Sequence, residues 1–188
     1  MVMPDISYRQ IINRALRLAT MTGGESSASP MIDNAVVLED MAPMALRQAI
    51  ILGANNPNEV NQLKIPHVVS ISSGAAPLPD EVITECMDRS SVSSATDGSI
   101  TELASFQPRL MSYLRPVHSQ LAYYAVDGGN LLFREAGGDA GAYNGTITLT
   151  AVSMPVNVAD LTTLLEITSD TAERAIGILA MMLRGEAG

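Results

Sequence analysis

The hydrophobic pattern changes period twice along this chain, and that switch constrains the fold more than any single residue does. Near the start, Ile11, Ala15 and Leu18 recur at helical spacing, joined by Ile12 and Ala19. Met31, Ala35, Leu38, Ala42, Ala45, Ala49 and Leu52 continue helically. Thr146 to Val152 instead alternates, as a half-buried strand does. Ala172, Ala175, Ile176, Leu179 and Leu183 then return to the helical period. Helices, strands and helices in that order imply an α+β fold. The economical arrangement is a helical domain formed by both chain ends (1–64 and 156–188), with a small antiparallel β-domain inserted at 65–155.

Local signals place the elements. Ser7 and Gln10 fit a capping box that starts a helix running to about Met21, and Gly23-Gly24 stops it. Ser29 and Pro30 open a second helix that reaches Leu52, with Pro43 expected to kink it. Ala54 to Asn58 is expected to be a loop, Ile65–Ile71 a strand, and Gly74–Asp80 a rigid loop. The stretch Glu81–Ser93 fits helix or strand, and strand is preferred. Asp97-Gly98 marks a turn. Leu121–Val126 and Leu131–Arg134 flank Asp127-Gly128-Gly129-Asn130, a strong hairpin signal. A glycine-rich loop follows at 137–145. Asp160–Glu166 is expected to be a short helix. Ser169 or Asp170 is expected to cap the last long one, with Gly185 as its stop.

Composition narrows the function classes. Only 4% of residues are aromatic and none is Trp, so Ala, Leu, Ile, Val and the 11 Met must build the core. The 11 basic residues face 20 acidic ones, a net charge of −9. That balance argues against a protein that grips nucleic acid through clustered cations, though it suits a wall past which DNA slides. Simple solubility explains it equally well. The single cysteine, Cys86, excludes an intrachain disulfide. The first residues lack a basic region followed by an apolar run, and no apolar stretch approaches membrane-spanning length. A soluble protein made in a cytoplasm is the expectation.

No arrangement of residues predicts catalysis. Cys86, His67 and His118 are the only material for a nucleophile with a histidine base, and their spacing brings none of them together. Those three are also too few and too widely separated for a structural zinc site. The glycine-rich loop lacks the Lys-Ser/Thr ending of a phosphate-binding loop. Its Asp139 and Asn144 do not match a calcium-loop pattern. Glu81, Glu85 and Asp88 would cluster on a helix, where a solvated acidic face is the plainer reading. The chain is therefore expected to be non-enzymatic, with no catalytic, cofactor or metal site.

Four segments carry a resemblance: Tyr8–Leu18 with the Ala-rich helix after it, Leu78-Pro79-Asp80, the hairpin Tyr123–Asn130, and the ending Ile178–Gly185. Together they resemble the head-to-tail adaptor (connector, or tail tubular A-like) proteins of tailed bacteriophages. In that family's pattern the Asp of Leu-Pro-x-Asp is followed after one residue by another Asp or a bulky apolar residue. Glu81-Val82 stands here instead, which leaves the register after Pro79 open. The resemblance implies a self-associating ring, usually twelvefold, in the virion neck. It implies the portal protein and tail or nozzle proteins as partners, and passage of DNA without sequence-specific binding. The alternatives are another virion component, for head completion or the tail, or a soluble ligand-binding module.

Overall fold

The capping box forms as its residues require. The Ser7 N–H donates to Gln10 Oε1 at 2.8 Å and the Gln10 N–H donates to Ser7 Oγ at 3.4 Å. In the computed structural model the described residues are 6–22, 40–96, 99–105, 121–135, 144–155, 161–162 and 164–184. They include helices and mostly antiparallel sheets, so the fold class is α+β. The chain divides into two compact units, Met1–Leu63 with Met154–Gly188, and Lys64–Ser153.

Among the described residues the first unit holds four helices: α1 (Tyr8–Thr22), α2 (Ala42–Gly53), α3 (Pro57–Leu63) and α4 (Ser169–Leu183). α4 packs on both α1 and α2. The buried face of α1 is Tyr8, Ile11, Ile12 and Ala15, while Leu18 is exposed. On α2 the buried positions are Ala42, Ala45, Leu46, Ala49, Ile50 and Gly53. That run keeps the i, i+3, i+4, i+7 spacing, so the stripe turns onto Ile50 and leaves Leu52 exposed, contrary to expectation. Pro43 does not interrupt α2. It lies in the first turn of α2, directly after a π-type turn at Asp40–Met41 whose Met41 is already helical (φ −70°, ψ −43°), so the helical winding changes at the proline. The expected helix over 30–39 lies outside the described residues.

Two further expectations change here. Part of the stretch expected to be a loop is α3: Asn56 precedes it, Pro57 takes its first position, and the Asn58 N–H donates to Asn56 Oδ1 at 3.0 Å. Leu164–Leu165 forms a strand, not a helix. As β10 it pairs antiparallel with β1 (Ile6–Ser7). Ser7 is thus both strand end and helix cap, so one short bridge ties the two chain ends together.

α4 is capped by Thr168, not by Ser169 or Asp170. Its Oγ1 accepts the Thr171 N–H at 3.1 Å and donates to Thr171 Oγ1 at 2.9 Å. The Glu173 carboxylate of α4 meets Arg14 of α1 at 2.9 Å. Both partners of that pair are exposed, so it adds little. The cap matters more. Thr168→Ala is expected to cost about 1–2 kcal/mol, lowering the melting temperature by about 2–6 °C. Thermal denaturation followed by circular dichroism checks it, and an unchanged midpoint refutes it.

The second unit is a sandwich of two four-stranded sheets. One runs β2 (Lys64–Ile71), β9 (Gly145–Val152), β4 (Ser91–Thr96), β5 (Ser99–Glu102). The other runs β3 (Ala75–Pro77), β8 (Asn130–Glu135), β7 (Leu121–Asp127), β6 (Ala104–Ser105). All pairs are antiparallel except β6 with β7, which is parallel. Val69, Val92, Ile147 and Leu149 of the first sheet share one core with Ala76, Tyr124, Leu131 and Phe133 of the second. β9 shows the expected alternation, with Ile147, Leu149 and Ala151 inward.

The hairpin β7–β8 closes on Asp127 opposite Asn130, so Gly128-Gly129 forms its turn, and both have positive φ (53° and 81°). Ser73, and Gly74 at the start of the expected rigid loop, also have positive φ and connect β2 to β3. Ala75–Pro77 then pairs with β8 as an edge strand, a position Pro77 tolerates. The stretch 81–93 is not one strand. Thr84–Arg89 forms a 3₁₀ turn that buries Cys86, and β4 starts only at Ser91. The Asp97-Gly98 turn and the loop 137–143 lie outside the described residues. The register Thr96 opposite Ser99 is the one that a two-residue connection requires. No helix among the described residues is long and apolar enough to cross a membrane.

Candidate functional site

Each polar constellation that the fold assembles can be tested against the chemistry it would need. The most buried lies in the helical unit. Glu59, on α3, is 6% exposed. Its Oε1 accepts from Arg174 Nη2 at 2.6 Å and from Asn56 Nδ2 at 3.0 Å. Its Oε2 accepts from Thr171 Oγ1 at 3.4 Å. Arg174 also donates to the Ala49 carbonyl at 3.4 Å. The adjoining ends of α2 and α3 therefore meet the first turns of α4, with Glu59 and Arg174 115 positions apart.

Burial alone pushes the Glu59 carboxyl up. The hydrogen bond and charge of Arg174, with the hydrogen bonds from Asn56 and Thr171, outweigh it and hold the group below its ordinary 4.5. A β-carbon at Gly53 would stand 2.7 Å from Arg174 Nη1 and 2.9 Å from Glu59 Oε2, so a side chain there would push the tips of the pair aside. A carboxylate that is ionised, fully hydrogen-bonded and shut away from solvent is neither a proton shuttle nor a substrate contact. It is a structural lock.

The second constellation is in the β unit. His67 Nε2 lies 2.8 Å from Ser153 Oγ. A His–Ser pair invites a nucleophilic reading, but the Ser153 hydroxyl donates to the Ala151 carbonyl at 3.1 Å. With the hydroxyl donating to that carbonyl, the tautomer that satisfies both contacts has Nε2 donating to the serine, and Ser153 is only 3% exposed. General-base activation requires the reverse.

The remaining candidates are dispersed. Cys86 is buried and in no disulfide. His118 and Asp139 lie outside the described residues. Asn144 accepts the Ser73 N–H at 3.0 Å and so steadies the β2–β3 turn. Glu85 accepts from Thr84 Oγ1, and Asp88 pairs with Arg89 at 3.1 Å on the exposed surface. No group of three metal-ligating side chains occurs among the described residues.

Sequence reasoning overlooked Glu59, Arg174 and Ser153. A signal existed for the first, since Asn56-Pro57-Asn58-Glu59 places a cap, a first-position proline and a third-position acid in order.

One concave feature is open to solvent. A shallow groove of about 410 Å³ runs between Val68–Ser70 of β2 and the turn Pro77–Asp80. Val68 on its rim is 78% exposed, the most exposed large apolar residue among those described. Asp80 is the one ionisable residue lining the groove. No known protein family matches the chain, and no curated protein is significantly similar to it.

Proposed function

We propose that this chain is a non-enzymatic structural subunit, and that it serves as a ring-forming adaptor between the portal and the tail of a tailed bacteriophage. The sequence resemblance carries the reading. What supports it is where its segments fall: Tyr8–Leu18 on α1, Leu78-Pro79-Asp80 on the turn after β3, Tyr123–Asn130 on the β7–β8 hairpin. The polar groups agree with a structural role, because Glu59 and Ser153 are consumed by internal bonds. A ring of identical subunits needs two different complementary surfaces per copy. An acidic chain of net charge −9 would line a channel without trapping DNA.

The test is binding. The purified chain, mixed with a portal protein from the same genome, is expected to form closed rings that cap the portal in negative-stain images. A protein that stays monomeric at all concentrations and shows no affinity for portal would remove the reading.

A further inference from the structure

The first sheet ends in two edges that complement each other. β2 is an eight-residue edge strand, paired along its whole length with β9 and with no described partner on its other side. The pairing fixes which backbone groups face outward. Pro66 opposes Thr150 and has no N–H, so that pair is one of those that exchange no hydrogen bonds. Backbone groups of the same parity, at Val68 and Ser70, therefore also point away from β9. Ser72 continues the series and exchanges two bonds with Ala75, at 2.9 and 3.1 Å, on that outer side. Val68 and Ser70 thus present N–H and C=O groups to the groove.

The opposite edge is β5. It pairs with β4 with Thr96 opposite Ser99, and in a two-residue hairpin those flanking residues exchange the closing bonds. The next pair, Ala95 with Ile100, exchanges none, so the backbone groups of Ile100 and of Glu102 face outward. Strand direction alternates across β2-β9-β4-β5, so β5 runs opposite to β2. A second copy set beside the first brings its β5 antiparallel to this β2. Outward-facing positions are then even-numbered on both strands, and they can pair. With Val68 opposite Ile100, that pair can exchange both of its backbone bonds, while Pro66, opposite Glu102, can only accept one.

We infer that copies of this chain join edge to edge, β5 of one adding antiparallel to β2 of the next. The contact is heterologous, using two different surfaces, so each copy can bind a neighbour on both sides. It would cover part of Val68, which is exposed on an edge strand that also carries Lys64 and Pro66. The occupant rests on the ring reading above, but the strand geometry does not.

Val68→Pro and Ile100→Pro test the contact. Each removes an outward N–H and sets a proline ring against the incoming strand. Neither touches a bond to β9 or β4, and Pro66 shows that β2 accommodates the substitution. Native mass spectrometry of the wild type is expected to show oligomers. Each variant alone, with an unchanged circular dichroism spectrum, is expected to be monomeric. An equimolar mixture is expected to give a dimer and nothing larger, because each variant keeps one sound edge. Variants that assemble like the wild type would overturn the inference while leaving the ring reading standing. A monomeric wild type overturns it outright. Open filaments that the two prolines abolish would uphold the edge contact and remove the closed ring. A variant that loses its fold is replaced by Val68→Lys, which is expected to weaken assembly at least tenfold. Assembly within twofold of wild type overturns the inference.

Discussion

Glu59→Ala is expected to lower the stability of the helical unit by about 3 kcal/mol, at the low end of the range for breaking a buried ion pair. The low end applies because the Arg174 side chain is 30% exposed and can recover some hydration, whereas Glu59 is only 8% exposed. The loss has two parts. Arg174 is left without its carboxylate, and the amide of Asn56 and the hydroxyl of Thr171 lose their acceptor. Glu59→Gln separates them, since it removes the charge but keeps an acceptor oxygen. It is expected to cost less than the alanine.

The same pair makes a pH prediction. The folded Glu59 holds its proton less tightly than the unfolded chain does, because its pKa lies below the ordinary 4.5. Between those two values the unfolded state binds more protons, so stability rises with pH there. The contribution is complete above about pH 5 and disappears as the pH falls through the folded value. Urea denaturation at a series of pH values checks this. The wild type should lose more stability on acidification than Glu59→Gln does. Parallel curves for the two proteins would show that the carboxylate is not held ionised by Arg174.

What could be read from the sequence was what neighbours in sequence decide. The Ser7–Gln10 box needs residues three apart. The β7–β8 hairpin needs only a glycine pair able to take positive φ between two β-favouring runs. Both carry their whole cause within a few residues. Thr168 was missed as the cap because Thr168, Ser169 and Asp170 can all accept a backbone N–H, and only packing of α4 against α1 and α2 sets the phase of the helix. Leu164–Leu165 is a strand because Ile6–Ser7, far away in sequence, offers it a partner. Its own two residues hold no such information. The 3₁₀ turn at Thr84–Arg89 similarly meets its conditions in three dimensions, where Cys86 enters the core.

The polar sites were illegible for the same reason. Glu59 and Arg174 lie 115 positions apart, and His67 and Ser153 lie 86 apart. Ordinary surface chemistry explains each of those residues alone. Their partners become visible only in three dimensions. The groove beside Val68 had no sequence signal either, because Pro66-His67-Val68 reads as any short strand does.

The largest effect expected in the β unit follows from the position of β9. It is the only described strand flanked by β2 on one side and β4 on the other, and Leu149 opposes His67 in the first and Val92 in the second. Its side chain is fully buried, in a core where Leu131, Phe133 and Tyr124 approach from the other sheet. Leu149→Ala removes the transfer energy of the lost methyl groups and leaves a cavity. A strand held on both edges has little freedom to collapse into that cavity, so the cost should be about 3–4 kcal/mol. Leu149→Met keeps the volume and should cost under about 1.5 kcal/mol. Val68→Ala is the internal comparison. It shortens a side chain that is already 78% exposed and should change folding stability by less than about 0.5 kcal/mol. Hydrogen exchange at the β9 amides resolves the three, since about 3 kcal/mol corresponds to exchange faster by a factor of about 100 where opening follows unfolding of the unit. If Leu149→Ala proved no more costly than Val68→Ala, β9 could not be the central strand on which both neighbours depend.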